Sequence, residues 1–265
     1  MKKEFSILLG AAVLFAAGTL SAKEVKTFNK SADWNKNAAV VESENGLKAS
    51  ARAMLISPKF TIDPKKSYTI KYSVCAQNIQ KKDYSWCLGG FEIFDKNGKS
   101  IRCVNVAIIP GTMTEVAADA AKGAQTLTVK DGSKFRKGGH FYLLSGAKAD
   151  LSDLPNNNII GSGVKNVQKK DDVWEITLNS KLAADVKAGT VIREHHAGGY
   201  LYTAGSRNVY DKWSTMQGKI KGYSKSGWAG SKWPVGAVSA RFIIMLNWHN
   251  RKLETLLKDV SMTIE

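Results

Sequence analysis

Helical periodicity is almost absent from this 265-residue chain; one weak stretch, Thr114 to Ala121, is compatible with a helix. Acidic side chains are the minority charge: 23 Asp and Glu stand against 39 Lys and Arg, for a formal net charge of +16. Such an excess favours anionic partners and long-range steering. The basic residues are scattered, however, and neither zinc-finger spacing nor an RNA-binding RNP motif occurs, so nucleic acid is not the expected partner. Cysteine is scarce. Cys75, Cys87 and Cys103 are an odd number and fit no zinc motif. A Cys75–Cys87 disulfide across the turn between two adjacent strands is one arrangement, and three reduced, buried thiols is the other. No apolar run reaches the ~20 residues of a transmembrane helix. The longest, Ser6 to Leu20, follows Met1-Lys2-Lys3 and precedes Ser21-Ala22. That order predicts a signal peptide over residues 1–22, cut after Ala22. No Cys follows it for a lipid anchor. The expectation is a soluble exported protein, secreted or periplasmic, with no membrane span.

What the chain does have is alternation. Phe60 to Ile109 reads as three successive strands. In Tyr68-Thr-Ile-Lys-Tyr-Ser-Val-Cys75, the residues Tyr68, Ile70, Tyr72 and Val74 share one face and Thr69, Lys71, Ser73 and Cys75 the other. Asn97-Gly98 joins Phe91–Phe94 to a predicted strand over Ile101–Ile109, and its sequence calls for a type I′ turn with both central residues at positive φ. Asn45-Gly46 marks a second hairpin. Short strands punctuated every ten or so residues argue for a sandwich. At Pro110-Gly111 the character changes. Lys122 to Val129, Lys137 to Leu144, Asn158 to Val167, Val173 to Leu178 and Lys187 to Arg193 read as strands of a separate small all-β module. The main fold resumes near Gly199 and ends on an alternating strand, Thr255 to Ile264. The expected organisation is residues 23–111 for the first part of the sandwich, 112–195 for the inserted module and 196–265 for the remainder.

Three pieces carry a resemblance. They are Phe60-x-Ile-x-Pro64 with Lys66-Ser-Tyr68; Phe91-x-x-Phe94-Asp95-x-Asn97-Gly98-Lys99-x-Ile101; and the C-terminal series Trp213, Trp233-Pro234-x-Gly236, Ala240-Arg241-Phe242, Asn247 and Asp259-Val260. Together they resemble the carbohydrate-binding-module-like, galactose-binding-like jelly rolls of secreted bacterial proteins. The inserted module is similar to a small β unit embedded in many exported and phage-tail proteins. The resemblance implies an all-β jelly-roll β-sandwich with an inserted small all-β subdomain, and a polysaccharide as partner.

Sugar binding needs aromatic platforms and hydrogen-bonding side chains. Tyr84 and Trp86 beside the Lys81-Lys82-Asp83 turn, Trp228 in a Gly/Ser-rich loop, and Trp248 with Arg251 after a strand are the candidates. Trp213 and Trp233 are read as core plugs. Arg207, Lys225, Lys232, Arg241 and Arg251 suit sulfate or uronate groups, which would make the polysaccharide an anionic one. The resemblance also implies a structural Ca2+, for which Asp259 with Glu42 or Glu44 is the pair to test. Arg193-Glu194-His195-His196 invites an enzymatic reading, with Tyr202 or Tyr210 and one His as an acid/base pair for a polysaccharide lyase or hydrolase. Adjacent His on a strand point to opposite faces and cannot easily share a metal. No His-Glu-x-x-His motif is present. The leading expectation is a non-catalytic carbohydrate-binding protein; a lyase or hydrolase and a structural or adhesive surface protein are the alternatives.

Overall fold

The computed structural model describes residues 23–77, 79, 84–225, 227–249 and 253–265. These residues form three six-stranded sheets. The signal peptide expected over residues 1–22, the Lys81-Lys82-Asp83 turn and Arg251 lie outside the described residues. In chain order the strands are β1 (Glu24–Thr27), β2 (Val40–Ser43), β3 (Gly46–Ala49), β4 (Ala53–Ile56), β5 (Phe60–Thr61), β6 (Ser67–Gln77), β7 (Ser85–Phe94), β8 (Ser100–Ile101) and β9 (Thr114–Glu115). They continue as β10 (Thr126–Val129), β11 (Gly138–Ser145), β12 (Ile159–Lys170), β13 (Val173–Leu178), β14 (Val191–His196), β15 (Ser206–Val209), β16 (Ser214–Lys221), β17 (Ser239–Leu246) and β18 (Glu254–Ile264). A single helical turn, α1 (Cys103–Val106), follows β8.

The fold is an all-β sandwich. One sheet runs β16-β6-β18-β3-β2, with β1 on β18; the facing sheet runs β15-β7-β17-β4, with β5 on β17 and β8 on β7. The alternation of Tyr68, Ile70, Tyr72 and Val74 places all four in the space between the sheets. There they meet Phe91, Phe242 and Trp233 from across the core. Phe91 and Trp233 ring centroids are 5.0 Å apart, and Tyr68 meets Trp233 edge-on at 5.4 Å. Aromatic pairs at these separations add to the burial of their large apolar area. Trp233 is fully buried, as read from sequence, whereas Trp213 is 41% exposed. Trp213 leads into β16 and its ring is covered by Lys258, whose Nζ lies 4.2 Å from the ring centroid.

Several expectations for Phe60–Ile109 need correction. β6 and β7 are consecutive but lie in opposite sheets, so Cys75 and Cys87 are not cross-strand neighbours. All three cysteines are free and buried. The third strand shrinks to Ser100–Ile101, and α1 takes the chain from there toward the inserted segment. The Asn97-Gly98 hairpin forms, but only Gly98 has positive φ (77°). Asp95 Oδ1 accepts the N–H groups of Asn97 and Lys99, and this Asx-type support selects a three-residue loop ending on a left-handed glycine. The Glu44-Asn45 hairpin joins β2 to β3 with Ser43 opposite Gly46. Gly89-Gly90 in β7 serves two close approaches. A Cβ on Gly89 would lie 2.1 Å from Tyr72 Oη, and one on Gly90 1.9 Å from the Leu201 carbonyl oxygen.

Strands β9 to β14 build the third sheet, in the order β10-β13-β12-β11-β14-β9, around a core of their own that includes Leu127, Val129, Leu143, Ile176 and Ile192. Thr114–Ala121, compatible with a helix from sequence, instead holds β9 and isolated bridges to Val129 and Val186. The segment leaves and re-enters the sandwich side by side. Ile108 bridges His195, and Ile109 N–H donates to Glu194 O at 2.9 Å.

Candidate functional site

β7 emerges beside Tyr84 with Ser85 and Cys87 turned inward, so period two turns Trp86 outward, 39% exposed. The edge strand β15 pairs with it and sets Asn208 opposite Trp86 and Ser206 opposite Leu88. Opposed residues share a face, so Asn208 stands beside the Trp86 ring. Arg207, Tyr210 and Ser214 complete an open depression of about 580 Å3 around Trp86. Arg207 is exposed and has no carboxylate within ion-pair distance among the described residues.

The end of β17 completes the aromatic cluster. Trp248 N–H donates to Trp86 O at 3.2 Å. His249 stacks on Tyr84 at 5.3 Å with the rings 2° from parallel, and lies 5.6 Å from Trp86. Tyr210 is 6.5 Å from Tyr84. Trp248 is half-buried with one ring face taken by Arg52, whose Cζ is 4.4 Å from the centroid. Beneath them sits Asn247, fully buried at φ 53°. Its amide donates to Ala49 O and Ala51 O, and its carbonyl accepts from Ser85 Oγ at 2.8 Å and Thr255 Oγ1 at 2.6 Å. Every hydrogen-bonding position of that side chain is used, and asparagine tolerates the left-handed backbone better than most residues.

Trp228 does not join this cluster. It lines a second cleft, of about 520 Å3, with His196, Tyr200, Tyr202 and Cys103, where the inserted segment meets the sandwich. Trp228 is half-buried and packs on the sandwich core. Tyr202 Oη donates to Met245 Sδ at 3.6 Å. Cys103 Sγ lies 4.0 Å from His196 Nδ1, and burial pushes its thiol up to about 11, so it is protonated at neutral pH.

The Arg193-Glu194-His195-His196 cluster divides as strand geometry requires. Arg193 and His195 share a buried face; His196 is exposed in the second cleft. His195 Nδ1–H donates to Val104 O at 2.7 Å, and Arg193 Nε–H donates to His195 Nε2 at 3.1 Å. A ring accepting at Nε2 is neutral, and burial, then the Arg193 charge, pull it down to about 4 against the Val104 carbonyl. Arg193 Nη2 pairs with Asp153 at 2.6 Å, both side chains buried. His195 is therefore a structural joint between the inserted segment and α1, and not an available base. Among the described residues, the carboxylate of Glu194, on the opposite face, accepts only the Arg136 backbone N–H, and burial pushes its carboxyl up to about 7.

Glu42 and Asp259 sit on β2 and β18 with β3 between them. Two strand spacings set their backbones about 10 Å apart. Glu42 Oε1 already accepts the backbone N–H and Oγ–H of Ser31, which hold its carboxyl below the usual range. Among the described residues no group of three or more His, Cys, Asp or Glu could hold a metal. Among them, too, no helix is long and apolar enough to cross a membrane.

Of the residues expected at a glycan site, the fold gathers Tyr84, Trp86 and Trp248, and separates Trp228. Ser206, Asn208, Ser214 and His249 were not legible as partners of Trp86. Their signal is the β15–β7 register and the end of β17, pairings that span more than 100 residues of chain. The chain matches no protein-family model, and a search of curated proteins returned no match.

Proposed function

We propose that this chain is a non-catalytic carbohydrate-binding protein whose ligand lies in the Trp86 depression. The observation that carries the reading is the pairing of an exposed Trp ring with Asn208, Arg207, Ser206 and Ser214 around one open hollow. A pyranose ring presents an axial C–H face to an aromatic platform and hydroxyls to side-chain amides, guanidinium and hydroxyl groups. Arg207, unpaired among the described residues, suits a sugar bearing carboxylate or sulfate. Asn247 holds the ends of β7, β17 and β18 together beneath the site, so the platform sits on rigid strands. The resemblance of the strand motifs to secreted carbohydrate-binding jelly rolls points the same way.

Glycan-array binding followed by titration tests the proposal. Trp86→Ala is expected to weaken the best ligand by about tenfold or more, the loss of a central aromatic contact, with the melting temperature little changed. Unaltered affinity in this variant would remove the site assignment. A second reading rests on His196 and Tyr202 lining one cleft. Polysaccharide cleavage by the wild-type chain that disappears in His196→Ala would replace binding by catalysis there.

A further inference from the structure

We propose that the outer face of the sheet β16-β6-β18, on the opposite side of the sandwich from Trp86, is a docking surface for an extended acidic polysaccharide. Along β16, Met216, Gly218 and Ile220 are buried while Thr215, Gln217, Lys219 and Lys221 are exposed. Register carries this outer face across the sheet. Gln217 lies opposite Lys71, Lys219 opposite Thr69, and Thr215 opposite Ser73. On the other side of β6, Ser261 lies opposite Lys71, Thr263 opposite Thr69, and Lys258 opposite Ser73. The result is a plane of lysines set among hydroxyls and one amide. Lys71, Lys219, Lys221 and Lys258 have no ion-pair partner among the described residues. The exposed carboxylates bordering them are Asp259, in the bulge of β18, Asp211, before β16, and Glu265, which opposes Ser67 across from Lys221 and is paired with Lys23.

Charge complementarity and shape select the occupant. Lys219 and Lys221 are two residues apart on one strand, about 7 Å, and Lys71 is diagonal to Lys219 at about 7–8 Å. A small anion would meet one ammonium, whereas a chain bearing a carboxylate on successive units can meet several at once. The intervening Thr, Ser and Gln side chains match sugar hydroxyls. A membrane is a poorer fit because lysines and hydroxyls make up the β16-β6-β18 face, and the exposed apolar side chains of this sheet are scattered at its margins, among them Val25 on β1 and Trp213 beneath Lys258. Single-stranded nucleic acid would need uncovered rings for its bases. The net charge of +16 steers any polyanion toward the molecule.

The test uses the full chain with polygalacturonate as the acidic probe, and with a neutral polysaccharide, single-stranded DNA and phosphatidylglycerol vesicles as the other arms. Lys71→Glu/Lys219→Glu/Lys221→Glu is expected to lose polygalacturonate affinity by more than about tenfold and to flatten its salt dependence. Lys122→Glu/Lys165→Glu/Lys169→Glu, on the inserted segment, makes the same change of net charge and is expected to retain that affinity, which separates this face from the overall charge. The triple Lys→Gln variant of the sheet face repeats the measurement without introducing acid, and circular dichroism confirms that each variant folds. Equal affinity in the wild type and both triple variants of the sheet face would overturn the proposal. So would an equal loss in the triple variant of the inserted segment, or binding to DNA or vesicles without binding to polygalacturonate.

Discussion

Glu194 and His195 are neighbours with opposite effects on stability. Glu194 is flanked by the Arg136 backbone and Thr112; His195 faces Arg193, Asp153 and the Val104 carbonyl. The folded chain keeps a proton on Glu194 up to about pH 7, whereas an ordinary carboxyl releases it near 4.5. Between these limits the folded state binds more protons, so this group's contribution falls as pH rises. His195 is the reverse. The unfolded ring takes up a proton near 6.5 and the folded ring only near 4, so stability grows with pH across that window. The two slopes oppose each other from about pH 4.5 to 6.5, and Glu194 acts alone from there to about 7. Glu194→Gln removes one of them. Thermal melts across pH 4 to 8 are expected to show the variant gaining on the wild type as pH rises. A difference that stays constant with pH would contradict this account of the buried carboxyl.

Among the elements, the ends of β7, β17 and β18 are the tightest joint. Asn247 links the β3–β4 connection, Ser85 and Thr255 through four hydrogen bonds inside a fully buried site. Asn247→Ala leaves two carbonyls and two hydroxyls short of a partner, and a left-handed backbone without its usual residue. Destabilisation of about 2–4 kcal/mol is expected by urea denaturation, together with weaker ligand binding at Trp86, because Trp248 and His249 follow directly. A loss below about 0.5 kcal/mol would show that the joint is not structural. The same elements explain why the three-strand reading of Phe60–Ile109 went astray. The alternation in β6 and the inward residues of β7 tell which side of each strand is buried. They say nothing of which sheet the strand belongs to. β7 is claimed by β17, some 150 residues away in the chain, and β6 by β18. Ile101–Ile109 is apolar enough for a strand, yet α1 forms there. Its side chains are all buried, and Val104 O and Val106 O receive His195 and Gly227.

At the scale of the molecule, two hydrophobic cores are separate, and the inserted sheet joins the sandwich through polar contacts at His195, Asn105 and Asn156. The chain leaves at Ile109 and returns at Glu194, already hydrogen-bonded to each other. Replacing residues 111–193 by a short Gly-Ser linker is expected to leave a cooperatively folding sandwich with native near-ultraviolet dichroism. Its melting temperature is expected to fall, since Asn105 loses Asn156 and Asn157 and the buried His195 loses Arg193. A non-cooperative melt would mean that the two parts fold as one unit. The breakpoint at Pro110-Gly111 is visible in the chain as a change in strand phrasing. The return point is visible only as the end of Arg193-Glu194-His195-His196, a cluster whose polarity suggests chemistry before its burial is known.

Fold class was legible because side-chain period is a local property. Two-residue alternation, the Asn-Gly turns and the missing helical pattern are enough to specify an all-β chain and the inward face of most strands, and they leave Trp86 a candidate beside a turn. Sheet membership, the free state of the three cysteines, the separation of Trp228 from Trp86, and the conversion of His195 from candidate base to buried joint depend on contacts between distant segments. Each of those contacts is set by how two faces pack and how buried polar groups find partners. No local pattern encodes that choice, and only the folded chain makes it.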